Sequence, residues 1–191
     1  MREAFLEILR LSEEVVLKAR YVKPYAEGGY VGQSYGWAPC RSWMRDDQLT
    51  GKILKIAEKL YETKELKIAI TEKQEVLALA DDLLNQWKIL LQYADSGEGG
   101  DVWKELHHTA LYGDTLLRLT AHYFLAAFHF VQWRYSPTSE GYDTTLYHLA
   151  AWDEQWSKHK TDITNLQGAA SPFQDNGMED LCNMMYEELN H

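Results

Sequence analysis

Apolar side chains recur at helical spacing along most of this chain, separated by polar positions. In the first segment, Ile8, Leu9, Val15 and Val16 follow this period, and the helix is expected to end before Pro24 because proline disfavours helical geometry in the preceding residue. The same period predicts helices over 48–62, from a capping box at 71–74, over 102–135, over 142–166 and from about Met178. No long stretch alternates with period two, so the sequence predicts an all-α bundle of five or six helices.

The segment 102–135 is the longest predicted helix. At a rise of about 1.5 Å per residue it would extend about 50 Å, so we expect it to be the central element of the bundle. The chain of 191 residues is expected to form a single domain, 1–191. The helical pattern is already present at Ala4 without a capping residue before it, which favours excision from a longer polypeptide.

Composition and charge narrow the classes of partner. A hydrophobic share of 46% and an aromatic share of 13% indicate a globular protein. The net charge of −10 repels nucleic acid and anionic lipid, and no apolar run is long enough to span a membrane. Two cysteines, Cys40 and Cys182, exclude a disulfide framework and a four-cysteine zinc site.

A long glycine-rich loop, 25–47, follows the first predicted helix and is dense in aromatic rings. Such rings stack on sugar faces, anchor protein interfaces or cover a core, and these three interpretations remain open. If the loop makes contact with a ligand or another domain, the candidate residues are Tyr25, Tyr30, Tyr35, Trp37 and Trp43.

A metal site is the alternative hypothesis. Glu105 and His108 form an E-x-x-H pair on the long helix. His122 and His129 lie seven residues apart on one face further along it and could bind one metal with His108 or His148. The E-x-x-H spacing is the one used by helical bundles that hold binuclear metal centres. The competing interpretation is that the histidines are neutral residues in or near the core, and on that view no cofactor is expected. The G-x-S-x-G match around Ser34 lacks the flanking strand and helix that this nucleophile needs, so no catalytic residue is assigned.

Two segments resemble the helical domains that follow the barrel in large glycoside hydrolases. They are "ILRLSEEVVLKARYVKPY" at 8–25 and "LAAWDEQWSKHKTDITNLQGAASPFQDNGMED" at 149–180. The resemblance implies a non-catalytic accessory domain of a carbohydrate-active enzyme, with the catalytic carboxylates on a (β/α)8 barrel absent from this chain. The implied partners are that adjoining catalytic domain and carbohydrate.

Overall fold

The computed structural model describes residues 2–20, 22, 49–94, 100–165 and 177–191. Within these ranges the chain forms six helices and no strand, which confirms the prediction of an all-α bundle of five or six helices. The helices are α1 (Arg2–Arg20), α2 (Leu49–Glu62), α3 (Leu66–Ala94), α4 (Gly100–Tyr135), α5 (Ser139–Asn165) and α6 (Gly177–Leu189).

Helix α4 lies at the centre of the bundle and contacts each of the other five helices. Its residues 119–128 are buried without interruption, as expected of a helix that is apolar on all sides. The prediction of a central long helix is therefore confirmed. Neither α4 nor any other helix in the described part of the chain combines the length and the apolarity needed to cross a membrane.

Two hydrophobic clusters meet along α4. The larger cluster joins α2, the start of α3, α5 and α6 through residues such as Leu60, Phe128, Trp152 and Leu181. The smaller cluster seals α1 against α3 and the middle of α4. Trp152 and Trp156 stack with ring centroids 5.5 Å apart and both are buried, so the W-x-x-x-W pattern of α5 builds the core.

A Schellman turn joins α2 to α3. The Glu65 N–H donates to the Leu60 carbonyl at 2.8 Å and the Lys64 N–H to the Tyr61 carbonyl at 3.1 Å, with Lys64 in the left-handed region at φ 64°. Helix α3 therefore begins at Leu66, and the expected start at the capping box 71–74 is wrong. The turn provides hydrogen-bond donors for the last carbonyl groups of α2, and α3 begins directly after it. Thr71 therefore lies inside α3 and does not cap it.

Lys64→Gly is expected to raise the free energy of unfolding by about 0.5–1 kcal/mol. A left-handed conformation costs a side chain about 1–2 kcal/mol, and the added freedom of glycine in the unfolded chain offsets part of that gain. Urea denaturation measures the change. The control is Lys64→Val, which we expect to destabilise the protein because branching at Cβ makes this conformation worse; equal stability of the two variants would contradict the strain at this position.

Candidate functional site

A cleft opens where the first half of α3 faces the end of α4 and the start of α5. Its volume is about 910 Å³, within the range of clefts that hold small organic ligands. The turn between α2 and α3 closes one side of it through Glu62 and Lys64. The cleft therefore depends on the Schellman turn and on the sharp reversal between α4 and α5.

That reversal has a local cause in the sequence. Pro137 cannot continue α4, and Thr138 then caps α5 by accepting the Gly141 N–H on its hydroxyl at 3.0 Å. A methyl group at Gly141 would lie 3.1 Å from that hydroxyl oxygen, so the cap leaves little room for a side chain. The end of α4 and the start of α5 are thereby held side by side at the cleft.

Two stacked tyrosines form an aromatic wall of the cleft. Tyr61 at the end of α2 and Tyr135 at the end of α4 have ring centroids 4.8 Å apart and an interplanar angle of 17°. Tyr135 remains 55% exposed. A fixed ring with an accessible surface suits a ligand that presents an apolar face and polar edges.

Uncharged hydrogen-bonding groups line the cleft from three helices. Thr71 and Gln74 come from α3, Gln132 comes from α4, Thr138 caps α5, and Thr144 lies in the first turns of α5. Each amide or hydroxyl side chain can both donate and accept hydrogen bonds. This combination matches ligands whose own groups also donate and accept, as hydroxyl groups do.

The formal charges of the lining residues cancel. The lining contains two basic residues, Lys64 and Lys67, and two acidic residues, Glu62 and Glu140. An anionic ligand generally needs an excess of basic side chains or a helix N-terminus aimed at it. The side chains of the lining therefore supply no excess positive charge for a phosphorylated or carboxylated ligand.

His129 on α4 contributes the imidazole of the cleft. Its Nε2 atom is buried and has no hydrogen-bond partner among the described residues. Burial lowers the pKa of His129 from its ordinary value, although Gln132 and the charge of Glu140 oppose part of that shift. Near neutral pH the ring is uncharged, so His129 adds no charge to the lining of the cleft.

His148 on α5 and His122 on α4 continue this histidine cluster into the core. The His129 and His148 rings stack with centroids 5.6 Å apart, and the Nδ1 atoms of His148 and His122 form a hydrogen bond of 2.9 Å. One ring must donate and the other accept, which requires different tautomers of two neutral imidazoles. Burial, followed by the neighbouring His122 and His129, lowers the pKa of His148 to about 3.

An ion-pair network borders the deep end of the histidine cluster. Arg118 donates from Nε to Asp114 at 2.8 Å and from Nη2 to Asp81 at 2.7 Å, which links α4 to α3. Burial lowers the pKa of His122, and the Arg118 charge lowers it further. The network thus helps to keep the cluster uncharged.

The predicted contact residues cannot be located in this structure. Tyr25, Tyr30, Tyr35, Trp37 and Trp43 lie outside the described residues. Their assignment as ligand or domain contacts therefore stays a prediction.

The four residues of the metal hypothesis are not brought together. Glu105 and His108 are exposed near the start of α4, and His122 lies about 21 Å further along a helix of that rise. His122 and His129 instead share a cluster with His148. Within the ranges that the structure describes, no group of three or more histidine, cysteine or acidic residues is arranged to hold a metal ion.

Sequence reasoning did not find the aromatic and amide side of the cleft. Tyr61 and Tyr135 come from different helices, and no local pattern marks them as neighbours. The one available signal was the seven-residue spacing of His122 and His129, which correctly placed both on one face of α4.

Comparisons with protein-family models, curated proteins and solved structures find no match for this chain. They do not link it to the helical domains of glycoside hydrolases, so that resemblance stays a prediction.

Proposed function

We propose that this chain is a non-catalytic helical module that binds a neutral, polyhydroxylated ligand of the carbohydrate class in its cleft. The observation that carries the proposal is the stacked pair Tyr61 and Tyr135 at the wall of a cleft with amide and hydroxyl side chains and balanced charges. Sugar rings present apolar C–H faces to an aromatic ring and hydroxyl groups to polar neighbours.

Binding is favoured over catalysis by the kind of groups in the cleft. Apart from His129 and the four charged side chains, the polar groups of the cleft are amides and hydroxyls, which hold a ligand in place but do not transfer protons near neutral pH. His129 is the side chain best placed to act as a base, yet its buried ring has a lowered pKa. We therefore assign His129 to the uncharged lining of the binding cleft.

The wider role that we propose is that of an accessory domain in a carbohydrate-processing protein. This part of the proposal rests on the resemblance of 8–25 and 149–180 to helical domains of glycoside hydrolases. A cleft that retains carbohydrate would keep an adjoining catalytic domain close to its substrate, because linkage raises the effective concentration.

Isothermal titration with a neutral gluco-oligosaccharide and with a uronic acid oligosaccharide of equal length tests the binding proposal. The neutral ligand is expected to bind more tightly, and Tyr135→Ala should weaken it by about tenfold, since ring stacking contributes about 0.5–1.5 kcal/mol beyond burial. Tyr147→Ala is the matched control, because Tyr147 is also an exposed tyrosine but does not line the cleft.

Two results would contradict the proposal. One is tighter binding of the uronic acid oligosaccharide, which would show that the cleft selects an anion. The other is an equal loss of affinity in Tyr135→Ala and Tyr147→Ala, which would remove the aromatic wall from the binding site.

A further inference from the structure

A second depression lies beside the cleft, between α3 and the end of α1. Its volume is about 540 Å³, and it shares Lys64, Lys67 and Thr71 with the lining of the cleft. Four of its lining residues do not belong to the cleft, namely Lys18, Ile68, Glu72 and Glu75. The two concavities therefore meet along the edge formed by the three shared residues, and a ligand longer than the cleft would extend into the second depression.

Two exposed lysines lie on this shared edge. Among the residues that the structure describes, the ammonium groups of Lys64 and Lys67 have neither an ion-pair partner nor a hydrogen-bond partner. Lys18, by contrast, pairs with Glu75 at 2.7 Å. An ammonium group carries three N–H donors, so the shared edge offers hydrogen bonds to a ligand that crosses it.

The backbone conformation of Lys64 distinguishes it from an ordinary surface lysine. Its φ of 64° lies in the left-handed region, which favours glycine. The hydrogen bonds of the turn join backbone groups, so the turn does not need the lysine side chain. Non-glycine residues in strained conformations cluster at active sites and ligand-binding sites. The strain at Lys64 therefore points to a role for its side chain at the edge between the two concavities.

The second depression places hydrogen-bond donors and acceptors side by side. Lys18 contributes an ammonium group, Glu75 contributes a carboxylate and Thr71 contributes a hydroxyl group. An ammonium group donates, a carboxylate accepts and a ligand hydroxyl group does both, so neighbouring hydroxyl groups of a sugar fit this arrangement. Ile68 is 57% exposed and adds apolar surface for the C–H groups of a sugar ring.

We propose that the ligand is an extended carbohydrate chain that fills the cleft, crosses the edge at Lys64 and continues into the second depression. This inference rests on the carbohydrate-binding function proposed for the cleft and adds the length of the ligand. The cleft is already near the upper end of the about 300–1,000 Å³ typical of pockets for a single small molecule. The second depression adds contacts that only a longer chain reaches, so affinity should increase with chain length until both concavities are filled.

Isothermal titration with a gluco-trisaccharide and a gluco-hexasaccharide of the same linkage tests the extended site. The wild type should bind the hexasaccharide at least about tenfold more tightly. Glu75→Ala should remove most of this difference without changing the affinity for the trisaccharide, because Glu75 lines the second depression but not the cleft. Asp82→Ala is the matched control, since Asp82 is an exposed acidic residue of α3 that lines neither concavity. Circular dichroism verifies that each variant is folded.

Lys64→Gly provides a second test, because its effects on stability and on binding have opposite signs. The variant is expected to be more stable than the wild type, so a loss of affinity cannot result from unfolding. It should bind the hexasaccharide about fivefold more weakly, which corresponds to the loss of one hydrogen bond.

Two classes of result separate the extended site from carbohydrate binding itself. Equal affinities of the wild type for the two oligosaccharides, unchanged hexasaccharide binding in Glu75→Ala and Lys64→Gly, or an equal loss in Asp82→Ala and Glu75→Ala would overturn the extended site and leave binding in the cleft intact. Absence of binding by both oligosaccharides would instead contradict the proposed function, and the extended site with it.

Discussion

Lys73→Ala is expected to lower the free energy of unfolding by about 3–5 kcal/mol, a large part of the stability of a typical domain. Lys73 lies on α3, and its side chain has 0% exposure. Its ammonium group donates to the Lys18 carbonyl and to the Glu72 carboxylate, the latter at 2.7 Å, and lies 5.2 Å from the Phe124 ring centroid. One side chain therefore ties together α1, α3 and α4.

The contact with Lys18 has a specific role at the end of α1. The last four carbonyl groups of a helix have no partner within the helix, and a cation near them also interacts favourably with the helix dipole. Lys73 supplies both the donor and the charge from a different helix. The Lys73→Ala substitution would remove this donor and this charge, and it would leave a cavity in place of the aliphatic part of the lysine side chain.

Two further variants separate the contribution of the ammonium group of Lys73 from that of its buried aliphatic stem. Lys73→Met keeps most of the buried stem and removes the N–H donors. Its free energy of unfolding should therefore lie between those of the wild type and Lys73→Ala. Lys88→Ala, at an exposed position of the same helix, should change stability by less than about 0.5 kcal/mol. Guanidinium denaturation measures all three, and a loss below about 1 kcal/mol for Lys73→Ala would contradict the assigned role.

Lowering the pH from about 6.5 to about 4.5 is expected to remove about 2 kcal/mol of stability through His148 alone. The pKa of His148 is about 3 in the folded protein, because burial and the neighbouring histidines disfavour its charged form. In the unfolded chain it returns to about 6.5. Below that pH the unfolded state binds a proton that the folded state does not.

The protein therefore becomes less stable as the pH falls, because the unfolded chain gains a proton at His148 that the folded protein does not bind. The contribution of His148 to stability is fully present above about pH 6.5 and is lost as the pH falls toward about 3, at about 1.4 kcal/mol per pH unit. Burial lowers the pKa values of His122 and His129 too, so their contributions change with pH in the same direction.

A substitution of His148 separates its contribution to the pH dependence of stability from that of carboxylates that titrate in acid. His148→Gln retains a side chain that can hydrogen-bond to His122 but does not titrate. Its stability relative to the wild type should therefore improve as the pH falls, whereas His108→Gln at an exposed position should track the wild type. Parallel curves for His148→Gln and the wild type in urea denaturation would contradict a buried neutral His148.

Local sequence patterns predicted the helices because each depends on the spacing of its own apolar residues. The segment 102–135 was assigned as the central helix, and α4 spans Gly100–Tyr135. The start of α3 was missed because a non-glycine residue, Lys64, adopts the left-handed conformation at the turn. The capping box at 71–74 is a short motif, and it was outweighed by that turn.

The cleft was not predictable in the same way. It depends on contacts between residues far apart in sequence, such as Tyr61 with Tyr135. The two histidines of α4 were recognised as sharing a face, but their environment was set by α5 packing beside them. Spacing along one helix identifies a face, whereas the chemistry of a site depends on what packs against it.

We propose that a neutral polyhydroxylated ligand occupies the cleft beside His129. Long-range proton–nitrogen correlation spectra of the imidazole groups, recorded during titration with a neutral gluco-oligosaccharide, test it most directly. We expect a saturable shift of the His129 imidazole resonances, with those of the exposed His108 unchanged. A His129 resonance that stays fixed while the ligand is in large excess would contradict it.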